Sequence, residues 1–128
     1  MATTPSQDAI RVMILDGIGA SRQRLARLLV PAEDIEVAAL ARSGAERLAL
    51  ARLLAPAVIV VAPTGADESL HVIEMLKKEL PGVGVVLVSI SSDFDYLRSA
   101  LRAGARRVLP LLPKAELLLA AIREAAGP

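Results

Sequence analysis

Ala57-Val58-Ile59-Val60-Val61-Ala62 decides the fold. These six residues are all apolar, four are β-branched, and no charge marks a solvated face. A strand of this kind is buried on both sides, which places it in the middle of a parallel sheet. Pro56 precedes it, and Pro63-Thr64-Gly65-Ala66-Asp67 follows as a loop by composition.

Similar runs flank it. Ile10-Arg11-Val12-Met13-Ile14-Leu15 stops at Asp16-Gly17. Ile35 to Leu40, Val83 to Ile90 and Arg107 to Leu111 read as further strands. Between them lie helical patterns. Ser21 is placed to cap a helix with Leu25, Leu28 and Leu29 on one face, ended by Pro31. Ser43-Gly44-Ala45-Glu46 has capping-box spacing and opens a helix to about Leu54. Glu68 to Leu80 forms a third, broken by Pro81-Gly82. Phe94 to Ala103 forms a fourth, stopped by Gly104, and Lys114 to Ala126 a fifth. Five strands alternating with five helices predict an α/β fold with a doubly wound parallel sheet. Right-handed crossovers leave few topologies, and the flavodoxin-like strand order 2-1-3-4-5 is the expected one. Residues 10–126 form the expected single domain, with residues 1–9 as a flexible lead-in.

Composition narrows the function. The 128 residues include no cysteine, which excludes disulfide scaffolds, thiolate zinc sites and thiol catalysis. A single histidine, His71, excludes a multi-histidine metal site. The formal charge of +1 argues against a generally cationic nucleic-acid binder, and two aromatics, Phe94 and Tyr96, are too few for base stacking. The longest nearly apolar stretch, Leu53 to Pro63, is far short of the roughly 20 residues that span a bilayer. With no secretion signal at its start, the chain is expected to be cytoplasmic.

In such a sheet ligands sit at the carboxyl ends of the strands, near the switch in strand order. The residues there are Asp16-Gly17, Ala62-Pro63-Thr64, Ser89 and the segment around Pro110. At this point the chain resembles a response-regulator receiver domain. The resemblance rests on Ile10 to Asp16 with Arg22 and Leu25, on Pro56 to Val61, on Val85 to Ser89, and on Ala100-Leu101-Arg102-Ala103-Gly104-Ala105, and it covers about residues 10 to 125. It implies a phosphoacceptor aspartate at the end of strand three, where this chain has Ala62. It implies an acidic pair for magnesium after strand one, where this chain has Asp16-Gly17. It implies a lysine late in strand five, where Pro110 and Leu111 stand, and a switch aromatic where Val108 stands. Only Asp16 and Ser89 match the family's pattern. The expected reading is a degenerate pseudo-receiver: no nucleophile at Ala62, too few oxygen ligands for magnesium, no metal site and no cofactor.

A narrower resemblance runs from Ser89 through Tyr96 to Arg106. It is similar to the amino-terminal receiver-like domain of CpaE/TadZ-type pilus-assembly ATPases. That resemblance implies a localisation or docking domain. The fused ATPase is absent from this chain, which has no phosphate-loop motif.

Arg98 and Arg102 share one face of helix four, and Arg106 and Arg107 follow on the way to strand five. In receivers the surface of helix four, strand five and helix five is the usual partner or dimer face. Tyr96 has hot-spot character there if exposed, and packs as a core-edge residue otherwise. A solvated face with helix-dipole complementarity is the plainer account of the arginines. For Asp16 the plainer role is capping a loop or pairing with an arginine. For Ser89 it is a local main-chain hydrogen bond. Three functions follow: a non-enzymatic interaction module that docks a protein partner or self-associates as a homodimer; a small-ligand sensor using the crevice among Asp16, Ala62, Thr64 and Ser89; and a residual phosphotransferase, which the missing nucleophile disfavours. A stand-alone response-regulator-like adaptor in transcriptional or two-component signalling is a variant of the first.

Overall fold

The computed structural model describes residues 9–16, 19–41, 44–62, 66–89 and 91–127. Five strands alternate with five helices in the order β1 (Ile10–Leu15), α1 (Gly19–Leu29), β2 (Ile35–Ala41), α2 (Gly44–Leu54), β3 (Val58–Val61), α3 (Ala66–Glu79), β4 (Gly84–Ser89), α4 (Phe94–Ala103), β5 (Arg107–Pro110) and α5 (Ala115–Ala125). All pairings are parallel, and the strand order is β2-β1-β3-β4-β5.

Alternation along each central strand sends side chains to opposite layers. Val12, Ile14, Val58, Val60, Val86 and Val88 pack with Leu25 and Leu29 of α1 and Leu118, Ala121 and Ile122 of α5. Met13, Ile59, Val61, Val85 and Leu87 pack with Ala51 of α2, Val72, Ile73 and Leu76 of α3, and Ala100 of α4. Each fully buried Leu, Ile or Val contributes about 1.5–3 kcal/mol of transfer free energy.

Element ends differ from the sequence reading where main-chain geometry intervenes. α1 begins at Gly19, so Ser21 lies inside its first turn and does not cap it. Ser43 of the capping box lies outside the described residues, as do Gly17, Thr64, Ile90 and residues 1–8 of the lead-in. β2 extends one residue further, to Ala41, whose carbonyl accepts from Asp16 N at 3.0 Å. α3 starts at Ala66, inside the segment read as loop, and ends at Glu79. Val83 is not in β4, because its N–H donates to Leu80 O in the preceding turn. β5 ends at Pro110 rather than Leu111, since the chain turns at Leu112, whose φ is 57°. Lys114 is extended and precedes α5, which ends at Ala125.

α4 has both ends capped. Asp93 Oδ1 accepts from Asp95 N at 2.9 Å, and Gly104, at φ 125°, donates its N–H back to the last turn.

At Gly84 the strand passes so close to α5 that a Cβ would overlap the main-chain carbonyl of Ala125. Gly84→Ala is therefore expected to lower stability by about 1–3 kcal/mol. Urea unfolding measures this; an unchanged midpoint would show that α5 can move away.

Candidate functional site

The strand ends converge as the register requires. Leu15 pairs with Val61, and Val61 with Leu87, so Asp16 and Ala62 emerge side by side with Ser89 beyond them. Ser89 pairs with Pro110. The structure thus brings Asp16, Ala62, Ser89 and Pro110 to one edge of the sheet, with Leu111 following Pro110. Gly17 lies outside the described residues.

Each is held by main-chain bonds. Ala62 N donates to Leu15 O at 2.8 Å, and the Ala62 methyl is packed into the core layer that contains Leu109 and Leu118. Asp16 is 2% exposed, and its main-chain carbonyl accepts from Arg22 Nη1 at 2.7 Å. The Ser89 hydroxyl is used locally: Oγ donates to Ser91 O and accepts from Ser91 N, both at 3.0 Å. Among the described residues, no group of three His, Cys, Asp or Glu side chains could hold a metal ion. At the opposite end of the sheet an apolar depression of about 210 Å³ is lined by Ala51, Ala55, Pro56, Leu80, Gly82 and Val83.

The second group of residues lies on α4, β5 and α5. Arg98 stands over the Phe94 ring, 5.7 Å from its centroid. Arg102 is exposed at the end of α4. Arg106 and Arg107 both reach Glu124 of α5, at 3.4 and 2.6 Å. Tyr96 is half-buried and packs against the core layer beneath α4. The exposed aromatic is Phe94, at 70%. Leu101 and Leu117 are exposed with it, as are Leu111 and Leu112 in the connection from β5 to α5. The sequence reading missed Phe94, Leu101, Leu112 and Leu117 as surface residues. The seven-residue interval from Phe94 to Leu101, two helical turns, was the available signal.

No protein-family model matches the chain, and no curated protein matches it. Solved structures do. The signal receiver domain of the response regulator NarL from Mycobacterium tuberculosis is 22% identical, with a TM-score of 0.81, over 93% of this chain and 97% of that one. The response regulator domain of Thermotoga maritima CheB is 25% identical, with a TM-score of 0.81, over 94% and 99%. This is the receiver fold. A pilus assembly-related protein from Burkholderia pseudomallei K96243 is also similar, 25% identical with a TM-score of 0.77, over 98% of this chain and 95% of that one. No described helix of this receiver-like domain is long and apolar enough to cross a membrane.

The Arg107 hydrogen bond is the main cause that holds the Glu124 carboxyl below its ordinary value; desolvation opposes it, and the nearby Arg107 and Arg106 charges add to the lowering. A depressed folded-state value means that the pair stabilises the fold above the unfolded carboxyl's pKa. That contribution is lost as pH falls through the folded value. Arg107→Ala is expected to move the Glu124 titration upward, toward the ordinary 4.5, as followed by carboxyl NMR. An unmoved titration would show that the ion pair does not persist in solution.

Proposed function

We propose that this domain is a pseudo-receiver: it catalyses no reaction, carries no aspartyl phosphate, and signals by docking a protein on its α4–β5–α5 face. The observation that carries the reading is Ala62, a buried methyl at the end of β3. Acyl phosphate formation needs a carboxylate oxygen to attack phosphorus while the donor's oxygen leaves with its electron pair. A methyl group has no lone pair to begin that exchange. The neighbours add support. Gly17 follows Asp16 in place of a second acid, Leu111 brings no positive charge, and the Ser89 hydroxyl is turned onto Ser91. Among the described residues, the side chains of Ala62, Ser89, Pro110 and Leu111 at the strand ends offer no positive charge to balance that of an incoming phosphate.

The docking half of the reading rests on exposure. Among the described residues, eight large apolar side chains are exposed, and five of them (Phe94, Leu101, Leu111, Leu112 and Leu117) belong to α4, α5 or the turn between β5 and α5. Clustered apolar exposure of this kind marks interaction surfaces. Likeness to the Burkholderia pilus assembly-related protein, together with the CpaE/TadZ resemblance, favours localisation within pilus assembly as the process served.

Two measurements test this. With acetyl phosphate and magnesium, intact mass is expected to show no phosphate adduct, and beryllium fluoride is expected to leave the amide spectrum of residues 84–125 unchanged. A stable adduct would overturn the pseudo-receiver reading. Leu117→Glu is expected to abolish cellular localisation while leaving the folded spectrum intact; unaltered localisation would remove the docking face.

A further inference from the structure

We infer that copies of this chain join head to tail, with Phe94 at the carboxyl pole of one copy seated in the apolar depression at the amino pole of the next. The inference goes beyond the docking reading: it shares Phe94 with that face, but its other half lies at the far end of the sheet. The depression stands where α2 and α3 end, before β3 and β4 begin. Its lining, Ala51, Ala55, Pro56, Leu80, Gly82 and Val83, carries no charged side chain. At about 210 Å³ it is smaller than the roughly 300–1,000 Å³ of sites that hold drug-sized molecules. One side chain suits it better than a metabolite. The surroundings are basic. The last turns of α2 and α3 carry Arg52, Lys77 and Lys78, with Glu79 as the acid among them. Arg52 is held by Glu79 at 2.8 Å, and Lys77 donates to Pro81 O and Val83 O at 3.0 and 2.6 Å. Lys78 is exposed, and no acid among the described residues pairs with it. The group that fits is therefore apolar at its tip and acidic around it.

The chain itself presents such a group. Phe94 is the first residue of α4 and is 70% exposed. Asp93 and Asp95 flank it and are exposed with it. α4 starts at the carboxyl end of the sheet, and helical side chains lean toward the start of their helix. Phe94 therefore leans outward, past the carboxyl ends of the strands. Arg98 lies over its ring, so Asp93, Asp95 and Arg98 together leave one net negative charge around the aromatic tip. That charge meets two net positive charges around the depression, three bases less Glu79. Seating the ring removes an aromatic side chain from water at one pole and fills an apolar hollow at the other. Phe94 and the depression stand at opposite ends of one sheet, so a single chain cannot bring its own two halves together. The contact joins unlike surfaces. Such a heterologous contact repeats from copy to copy, as an open filament or a closed ring.

Gly82 gives a way to close the depression from within. A Cβ built there meets nothing within 4 Å, and its φ is not left-handed, so Gly82→Leu fills the hollow without disturbing the fold. Sedimentation velocity over a concentration series then tests the joint. The chain is expected to grow past the dimer as concentration rises, less so in high salt. Phe94→Glu removes the plug and Gly82→Leu blocks the socket, and each alone should leave a monomer with an unchanged folded amide spectrum. Mixed together, the two variants hold one working plug and one working socket. They should form a one-to-one dimer that grows no further. Lys78→Glu should weaken assembly of the otherwise unaltered chain. The capped dimer in the mixture supports the head-to-tail joint. Growth of the unaltered chain that stops at a dimer overturns it, as does assembly lost with Phe94→Glu but untouched by Gly82→Leu. A strict monomer at every concentration also overturns it, while the localisation result for Leu117→Glu decides the α4–β5–α5 docking face separately.

Discussion

β3 has no wet face. Its four residues are at most 3% exposed, and Ala62 just beyond them is equally buried. A parallel strand sealed between two helical layers cannot hold a polar side chain along its length without desolvating it. Polar chemistry is thereby confined to the strand ends and to the outer surfaces of the helices. In this chain the buried end of β3 carries a methyl group, and the unusual chemistry of exposure lies on α4, β5 and α5. The division of labour proposed for the domain follows from that confinement.

The same constraint made the fold legible. Apolar runs without alternation announce doubly buried strands, and the breaks between them, Pro31, Pro56 and Pro81-Gly82, separate helix from strand. Order, direction and layers follow from the alternation. The ends of elements did not, because they depend on single main-chain bonds such as Val83 N to Leu80 O. Surface residues were harder still. Phe94 and Tyr96 are two positions apart on one helix, about 200° around it. Tyr96 shares a stripe with Ala100 and Ala103, and Phe94 shares one with Leu101. Both stripes are apolar, so the pattern alone does not say which faces the core. Packing decides it: Ala100 is fully buried and small enough for close approach to the sheet, and Tyr96 goes in with it.

Among the described residues, backbone strain is concentrated in two connections. Ala55, at φ 47°, ends α2 by donating its N–H to Ala51 O at 2.9 Å, a left-handed cap made without glycine. Leu112, at φ 57°, lies between Leu111 and Pro113 with its side chain 65% exposed. Left-handed geometry costs a residue with a Cβ about 1–2 kcal/mol. At Ala55 the helix end is satisfied in return. At Leu112 a large apolar side chain is both strained and solvated, so the contacts within the chain give little back. Retained strain of this kind gathers at binding surfaces, and the docking reading supplies the packing that would offset it.

The edges of the sheet explain why such docking would use helix faces rather than strand addition. An open edge strand invites pairing with another chain. β5 has only four residues, begins at the charged Arg107 and ends at Pro110, which has no N–H to offer. On the other side, β2 carries an irregularity: Val12 pairs with Val37 and Met13 with Ala39, leaving Ala38 as an extra residue that twists the edge. Both edges are therefore poor templates for a further strand. What remains on the β5 side is a surface of side chains, apolar in its middle and oppositely charged at its poles. A partner docking on that side would meet side chains of α4, α5 and the turn between β5 and α5 rather than open main-chain hydrogen-bonding groups.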